Sequence, residues 1–413
     1  MNRIVLLFLF FMAFVSLDYY VFQAVRVLIQ GQQTWWRLTV IVLYWSFTLL
    51  SILGLLVWGR LDTFELAIYR NFIATGIVMN VVAKVLAGLV VFYDDLIRFG
   101  KYVYRGLVSN GAVTQAAEGI SRSEFLAKSA VIAGAIPVAM MSYGILSGAY
   151  DYRVRRRTIR MANLPRAFDG IKIAQLSDIH SGSFYNKTAV QGGVDLMMKE
   201  KPDLFLFTGD LVNNEAREVK EYMDIFSKVK APLGQYSVLG NHDYGDYKQW
   251  SSQQAKQKNL EDLVQSNKNM GWDILRNEHR YVEVEGERLA LLGVENWGMR
   301  GFAKYGDLSR THQHVEADIK VLLSHDPSHW DAQVRPQFSD IDLTLSGHTH
   351  GFQFGVEIGN FRWSPSQYMY KQWADLYHEG GQYLYVNRGF GFLGYPGRIG
   401  ILPEITILEL KRG

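Results

Sequence analysis

Not one of the 413 residues is a cysteine. No disulfide staples the fold, and no thiolate is at hand as a nucleophile or metal ligand. The absence does not fix the compartment, because exported bacterial proteins can lack cysteine too. An excess of either charge is missing as well: 43 Lys and Arg stand against 40 Asp and Glu, a net of +3. With no long basic stripe, this balance offers nucleic acid no electrostatic footprint, and none is expected as a partner. The local shortage of charge says more. Within the first 150 positions, apolar residues run on almost uninterrupted.

A helix needs about 20 apolar residues to cross a bilayer core. Residues 38–59 and 129–150 give 22 each without a charge, and residues 72–93 give 22 with Lys84 alone. A fourth candidate covers about 4–28, where an apolar run from Ile4 to Leu17 meets Asp18 and then a second mostly apolar stretch. The reading is a four-helix transmembrane region over 1–150, followed by a basic juxtamembrane linker at 151–170. Arg3 ahead of an apolar core is also how a signal peptide begins, but no small-x-small cleavage site follows cleanly, and the other runs would still anchor the chain. Buried helices of a soluble protein are the bland alternative, and three runs of this length argue against it. Lys84 reads as a structural residue that pairs with another helix or a headgroup, in preference to the mark of a polar pathway.

Basic residues ordinarily gather on the cytoplasmic side. Here Arg98, Lys101, Arg105, Arg122 and Lys128 precede the last run, and Arg153, Arg155, Arg156, Arg157 and Arg160 follow it, so the two sides nearly balance. Ser121-Arg122-Ser123-Glu124-Phe125-Leu126 resembles a twin-arginine export signal that lacks its second arginine, which tips the reading toward an extracytoplasmic catalytic domain. The arginines after the run would lie at lipid headgroups as an anchor.

From Thr158 onward the texture changes, and residues 171–413 read as one α/β domain. Apolar runs 171–176, 204–207, 235–239, 319–323 and 341–345 have strand length and strand composition. Residues 289–294, 383–386 and 405–410 add three more. Helix-like stretches at 188–201, 215–229 and 249–270 alternate with the early strands, which implies β-α-β units. In such sheets ligands collect at the carboxyl ends of the strands. Each run of the first group ends in a residue able to hold a metal: Asp178, Asp210, Asn241, His325 and His348. Taken alone, Asp210 would be a helix cap and His325 an ordinary core or surface histidine. The repetition carries the signal.

The blocks are Asp178-Ile179-His180, Gly209-Asp210, Gly240-Asn241-His242-Asp243, His325 and Gly347-His348-Thr349-His350, spaced 32, 31, 84 and 23 residues apart. In that order they resemble the calcineurin-like metallophosphoesterase superfamily, across about residues 171–410. The resemblance implies a two-sheet β-sandwich flanked by helices. It implies two divalent ions, with Asp210 as the bridge. Asp178, His180, Asp210 and His350 would take one ion; Asp210, Asn241, His325 and His348 would take the other. Carboxylate and imidazole donors suit Mn, Fe or Zn. Two such ions can activate water and clamp phosphoryl oxygens. His242 would steady the transition state or protonate the leaving group, with Asp243 orienting its imidazole. The glycines Gly209, Gly240 and Gly347 would allow sharp turns beside the metals.

Within the superfamily the chain is similar to bacterial membrane-associated phosphodiesterases, including those similar to UDP-diacylglucosamine pyrophosphatases. That implies a phosphodiester or pyrophosphate substrate, lipid-linked or of the cell envelope. Phe352, Phe354, Phe361, Trp363, Tyr368, Tyr370, Trp373 and Tyr377 would either wall a lipid pocket or pack locally. Arg388 and Arg398, with Arg362 and Lys371, are candidate phosphate contacts. His279, His312, His314, His329 and His378 fit no block, and His329 is the one expected near the site. Gly389-Phe390-Gly391-Phe392-Leu393-Gly394 is formally a dinucleotide fingerprint, but no helix follows it, so it reads as a tight loop. Three functions compete: an enzyme acting on a membrane or envelope phosphodiester, the same chemistry on soluble nucleotides or phosphoproteins, and a non-catalytic scaffold or transporter with a metal-binding domain. His242 and Asp243 argue against the last.

Overall fold

The computed structural model describes residues 3–61, 66–108, 123–299, 301–359 and 361–413. They divide into two units, residues 1–143 and 144–413. The first is built on the helices α1 (Arg3–Ile29), α2 (Thr34–Val57), α3 (Ala67–Val108) and α4 (Glu124–Leu146), the last of which runs three residues into the second unit. All four are long and apolar enough to cross a membrane. The spans expected at 38–59 and 72–93 start a few residues early. α3 also continues well past its apolar run, through Asp94, Arg98, Lys101 and Arg105. At 1.5 Å per residue it is about 63 Å long, twice a hydrocarbon core. The segment likened to an export signal lies partly outside the described residues, and its last three residues open α4.

Small residues let these helices approach closely. Ala24, Ala87, Val91, Ala127 and Ala130 form the packed centre. Lys84 is buried there with Asp18 of α1, Nζ to Oδ1 at 2.5 Å, and its ammonium lies 3.4 Å from the centre of the Tyr44 ring. Its structural reading stands: the two charges that interrupt the apolar runs neutralise each other.

Among its described residues the second unit holds fourteen strands. One six-stranded sheet contains β1 (Arg153–Met161), β2 (Lys172–Leu176), β3 (Leu204–Phe207), β4 (Gln235–Ser237), β5 (Asp273–Ile274) and, far along the chain, β14 (Glu404–Arg412), in the order β1-β14-β2-β3-β4-β5. The other contains β6 (Glu278–Val284), β7 (Glu287–Gly293), β8 (Ile319–Leu323), β9 (Leu343–Ser346), β12 (Asp375–Glu379) and β13 (Gln382–Val386), in the order β12-β13-β9-β8-β7-β6. β10 (Val356–Ile358) and β11 (Phe361–Trp363) form a separate hairpin.

Both faces of each sheet are covered, which is why the strands read as unbroken apolar runs. Side chains alternate along each strand. Leu204 and Leu206 of β3 face Val321, Leu323 and Leu345 of the other sheet in the sandwich core. Phe205 and Phe207 point the opposite way, into a layer with Val190, Val194 and Met197 of α5 (Lys187–Lys199). Leu322 of β8 faces away too, onto Trp330 and Val334. The stretch expected as a helix at 215–229 is mostly a 3₁₀ turn, with α6 (Met223–Phe226) its only α-helical part; α7 (Gln253–Met270) follows as read.

The stretch read as a linker is not one. Arg153–Met161 is an edge strand whose nine residues pair in parallel with Glu404–Arg412. Its arginines are committed within the unit: Arg155 to Glu357, Arg156 to Glu200 and Arg157 to Asp375. Charged side chains on an edge strand also discourage pairing with a second chain.

Candidate metal centre

The loops that follow β2, β3, β4, β8 and β9 meet at one rim. Five of the residues there hold the left-handed backbone conformation without being glycine: Asp178 (φ 51°), His180 (48°), Asp210 (59°), His348 (70°) and His350 (50°). Such conformations cost about 1–3 kcal/mol each and persist only where surrounding bonds over-determine them. Those bonds are present. The Asp178 N–H donates to the Gly209 carbonyl, and the His180 N–H to that of Asp210. The His348 N–H donates to the Asp178 carboxylate, and the His242 N–H to Asp210 Oδ1.

The side chains converge. His350 Nε2 lies 3.1 Å from Asp178 Oδ1 and 3.0 Å from His180 Nε2. Asp210 Oδ2 faces His325 Nε2 at 3.1 Å and His180 Nε2 at 3.5 Å, one imidazole from each expected ligand set. Asn241 Oδ1 and His348 Nδ1 are 2.8 Å apart. Two groups, Asp178–His180–His350 and Asp178–Asp210–His325, have donor atoms within 4.8 Å of one another.

This donor set fits divalent metal. His325 Nε2 is fully buried, and the group it faces is the Asp210 carboxylate at 3.1 Å, a donor pair that a metal ion between them would satisfy. Burial opposes charge on both carboxylates, but the imidazoles around them, His350 for Asp178 and His325 for Asp210, hold both below the usual range. Burial likewise opposes charge on His325, yet the Asp210 carboxylate outweighs it and raises the imidazole to about 10. The acids of the pocket thus favour positive charge between them, as a divalent ion would supply.

His242 lies at the edge of the group, its ring centre 4.9 Å from that of His180 and 4.6 Å from that of Tyr247. Its Nδ1 is 2.8 Å from the Asn213 carbonyl oxygen, which leaves Nε2 for the cleft. Asp243 does not orient this ring. Its carboxylate accepts four backbone N–H groups, those of Gly240, Asp210, Leu211 and Val212. Its role is to clamp the Asp210 loop against the Asn241 loop.

Arg388 and Arg398 do not reach a substrate either. Both are fully buried. Arg388 is paired with Glu404 at 2.6 Å and Glu357 at 2.7 Å. Arg398 donates to the Gly391 carbonyl and lies 3.2 Å from His350 Nδ1, behind that ligand candidate. His329, expected near the site, is buried between Ser324 and Gln333 and stacked on Trp297, and burial lowers it to about 4. The glycine-rich loop runs beneath the site. The Gly391 N–H donates to the Asp178 carbonyl, and any Cβ at that glycine would fall 1.9 Å from the Ile179 oxygen.

Two supporting residues, Asn213 and Asp326, escaped the sequence reading, and a third, Tyr370, was read only as one of a run of aromatics. Asn213 orients two histidines at once, His242 through its carbonyl and His180 Nδ1 through its Oδ1 at 3.0 Å. Tyr370 Oη lies 2.8 Å from His348 Nε2, and Asp326 Oδ2 lies 3.4 Å from the same nitrogen. The one available signal was adjacency: Asp326 follows His325. The site opens into a cleft of about 530 Å³, walled by His242, Tyr247, Phe352, Met369, Tyr370 and Tyr395 among others.

Comparison with known proteins identifies the family of both units. Residues 2–149 match the family described as the transmembrane domain of probable calcineurin-like phosphoesterases, and residues 171–352 match calcineurin-like phosphoesterase. The chain is 30% identical over 306 residues to an uncharacterized metallophosphoesterase of Bacillus subtilis (strain 168), YkuE, covering 71% of this chain and 98% of that one. It is 28% identical over 331 residues to a transmembrane protein with metallophosphoesterase domain from Danio rerio, covering 78% and 69%. An uncharacterized metallophosphoesterase of Aquifex aeolicus (strain VF5) is 29% identical over 283 residues, covering 66% and 98%.

Proposed function

The chain belongs to the calcineurin-like metallophosphoesterases, and on that premise we propose that it is a membrane-anchored phosphoesterase that hydrolyses a phosphodiester or pyrophosphate bond with two divalent ions. The observation that carries this reading is the buried Asp210 carboxylate set between His180 Nε2 and His325 Nε2, at 3.5 and 3.1 Å.

Asp178, His180, Asp210 and His350 would hold one ion, and Asp210, Asn241, His325 and His348 the other. When bound, such a pair makes water a nucleophile at neutral pH and neutralises phosphoryl oxygens. The rest falls to the chain. Tyr370 and Asp326 fix the His348 ring, and Asn213 fixes His180. The Asn213 carbonyl accepts the Nδ1–H of His242 and fixes the ring with Nε2 toward the cleft; only as the imidazolium would that Nε2 carry a proton to give to the departing oxygen. Asp243 keeps the two loops in register from behind.

The substrate class favoured is an amphiphilic, lipid-linked or envelope phosphoester. The apolar cleft wall, with Phe352, Met369 and Leu393, supports it. The catalytic unit is assigned to the extracytoplasmic side on the export-like sequence ahead of α4.

The test is hydrolysis of bis(p-nitrophenyl) phosphate by the full chain in detergent with manganese, beside His242→Ala. Metal-dependent turnover that falls in the variant supports the reading. A metal-loaded chain that hydrolyses no phosphoester would overturn it.

A further inference from the structure

The catalytic unit wears its apolar surface unevenly. More than half of the large apolar side chains it exposes, among the described residues, lie between 352 and 369, including Phe352, Phe354, Ile358, Phe361, Tyr368 and Met369. Ile358 is 73% exposed, Tyr368 73% and Phe361 63%. Patches of this kind mark interaction surfaces.

The same segment hides its charges. Glu357 and Arg362 are its only ionisable acid and base. Glu357 turns inward to Arg388 and Arg155. Arg362 donates to the Ala374 carbonyl at 2.9 Å and faces Asp375. The β10–β11 hairpin thus presents aliphatic and aromatic groups without a free charge, the composition that lies well at a membrane–water interface.

Chain connectivity says which surface covers it. Gly144–Leu146, the last turn of α4, already belongs to the catalytic unit. The Arg398 N–H donates to the Gly144 carbonyl, and Tyr185 Oη to that of Ile145 at 2.6 Å. The hairpin hangs from the other side of the same loop: the Gly355 N–H donates to the Ile399 carbonyl, and Gln353 Nε2 donates to the carbonyls of Tyr395 and Gly397. One short loop therefore ties the apolar hairpin to the end of a membrane-crossing helix. Phe352 and Met369 then carry the apolar surface into the cleft beside His242.

We propose that the β10–β11 hairpin and its flanks dock on the interface of the bilayer that α4 crosses, and that the cleft takes a phosphoester whose apolar chains stay in that bilayer. The substrate half rests on the phosphoesterase reading; the docking half does not.

Because the chain has no cysteine, Ile358→Cys offers a single labelling site for an environment-sensitive fluorophore. Glu261→Cys, on the exposed face of α7, is the control. The full chain is placed in phosphatidylethanolamine–phosphatidylglycerol vesicles doped with doxyl-labelled lipid. The Ile358 label should be quenched by the doxyl lipid and shielded from aqueous iodide, with the reverse at Glu261. Equal iodide quenching at both sites, or an Ile358 label untouched by doxyl lipid, overturns the docking. The second arm is the double variant Ile358→Ser, Phe361→Ser. It should keep its turnover of bis(p-nitrophenyl) phosphate. On a diacylglycerol p-nitrophenyl phosphate in vesicles it should lose about tenfold or more, as expected when two apolar anchors no longer bury. Equal effects on the two substrates overturn the substrate half. If the wild type cleaves neither, the phosphoesterase reading falls with that half, and the label still reports on docking.

Discussion

The Asp243 carboxylate accepts the main-chain N–H of Asp210 at 2.9 Å, across 33 residues of sequence. A residue that adjoins the proposed catalytic histidine in sequence thus serves the proposed bridging ligand instead. Asp243→Asn puts an amide hydrogen among four N–H donors, and one unsatisfied buried donor costs about 1–3 kcal/mol. The variant should lose thermal stability and bound metal together, measured by thermal unfolding and elemental analysis. A variant that keeps both and loses only turnover would return Asp243 to the role of orienting His242.

His242→Ala should do the opposite. Removing a general acid costs about 10²–10⁴-fold in rate, while Asn213, Asp210 and the other ligand candidates keep their bonds to one another. Metal content should match the wild type, and kcat should fall.

Chelation should stop hydrolysis, and manganese should restore it. It should also lower the unfolding temperature, since an ion bound only by the folded state stabilises it by about 2.7 kcal/mol at a hundredfold excess over its dissociation constant. Activity that survives in a metal-free preparation would contradict the assignment.

Arg388 ties the chain's last strand to the hairpin, and its loss should appear as instability. Breaking a buried ion pair costs about 3–5 kcal/mol where a charge is left without its partner; here Glu404 loses its 2.6 Å partner and keeps only the longer contact to Arg155 and two hydroxyl donors, so the loss should fall toward or below the lower end. Arg388→Ala should unfold at lower temperature. A well-folded variant with only a raised KM would restore the reading of Arg388 as a phosphate contact.

Asp375 gives the same cluster a pH dependence. Burial opposes its charge, but the bond from Arg157 and the charge of Arg388 hold its carboxyl far below the ordinary 3.8. A depressed folded value contributes stability that is present above 3.8 and is lost as pH falls through the folded value. Arg157→Ala should therefore shift the acid unfolding of the full chain to higher pH.

The candidate site was legible in the sequence because its residues are few, polar and repeated at the ends of apolar runs, and folding brings them together at one rim. The four helices were legible because a bilayer demands long apolar runs. What failed was context. The edge strand at 153–161 carries five arginines and looks like a linker; its partners Glu357, Glu200 and Asp375 lie 44 to 218 residues away. Arg388 and Arg398 read as phosphate contacts, since nothing local announces that Glu404 and the Gly391 carbonyl will hold them inside the fold. The β10–β11 hairpin was seen only as a crowd of aromatics; folding showed which of them remain outside.

The measurement that tests the proposed two-metal site most directly is turnover of bis(p-nitrophenyl) phosphate by the full chain and by Asp210→Ala, each purified in detergent and assayed with manganese beside its metal content. The account predicts metal-dependent turnover in the wild type, and loss of both turnover and bound metal in the variant. Wild-type turnover in Asp210→Ala would contradict it.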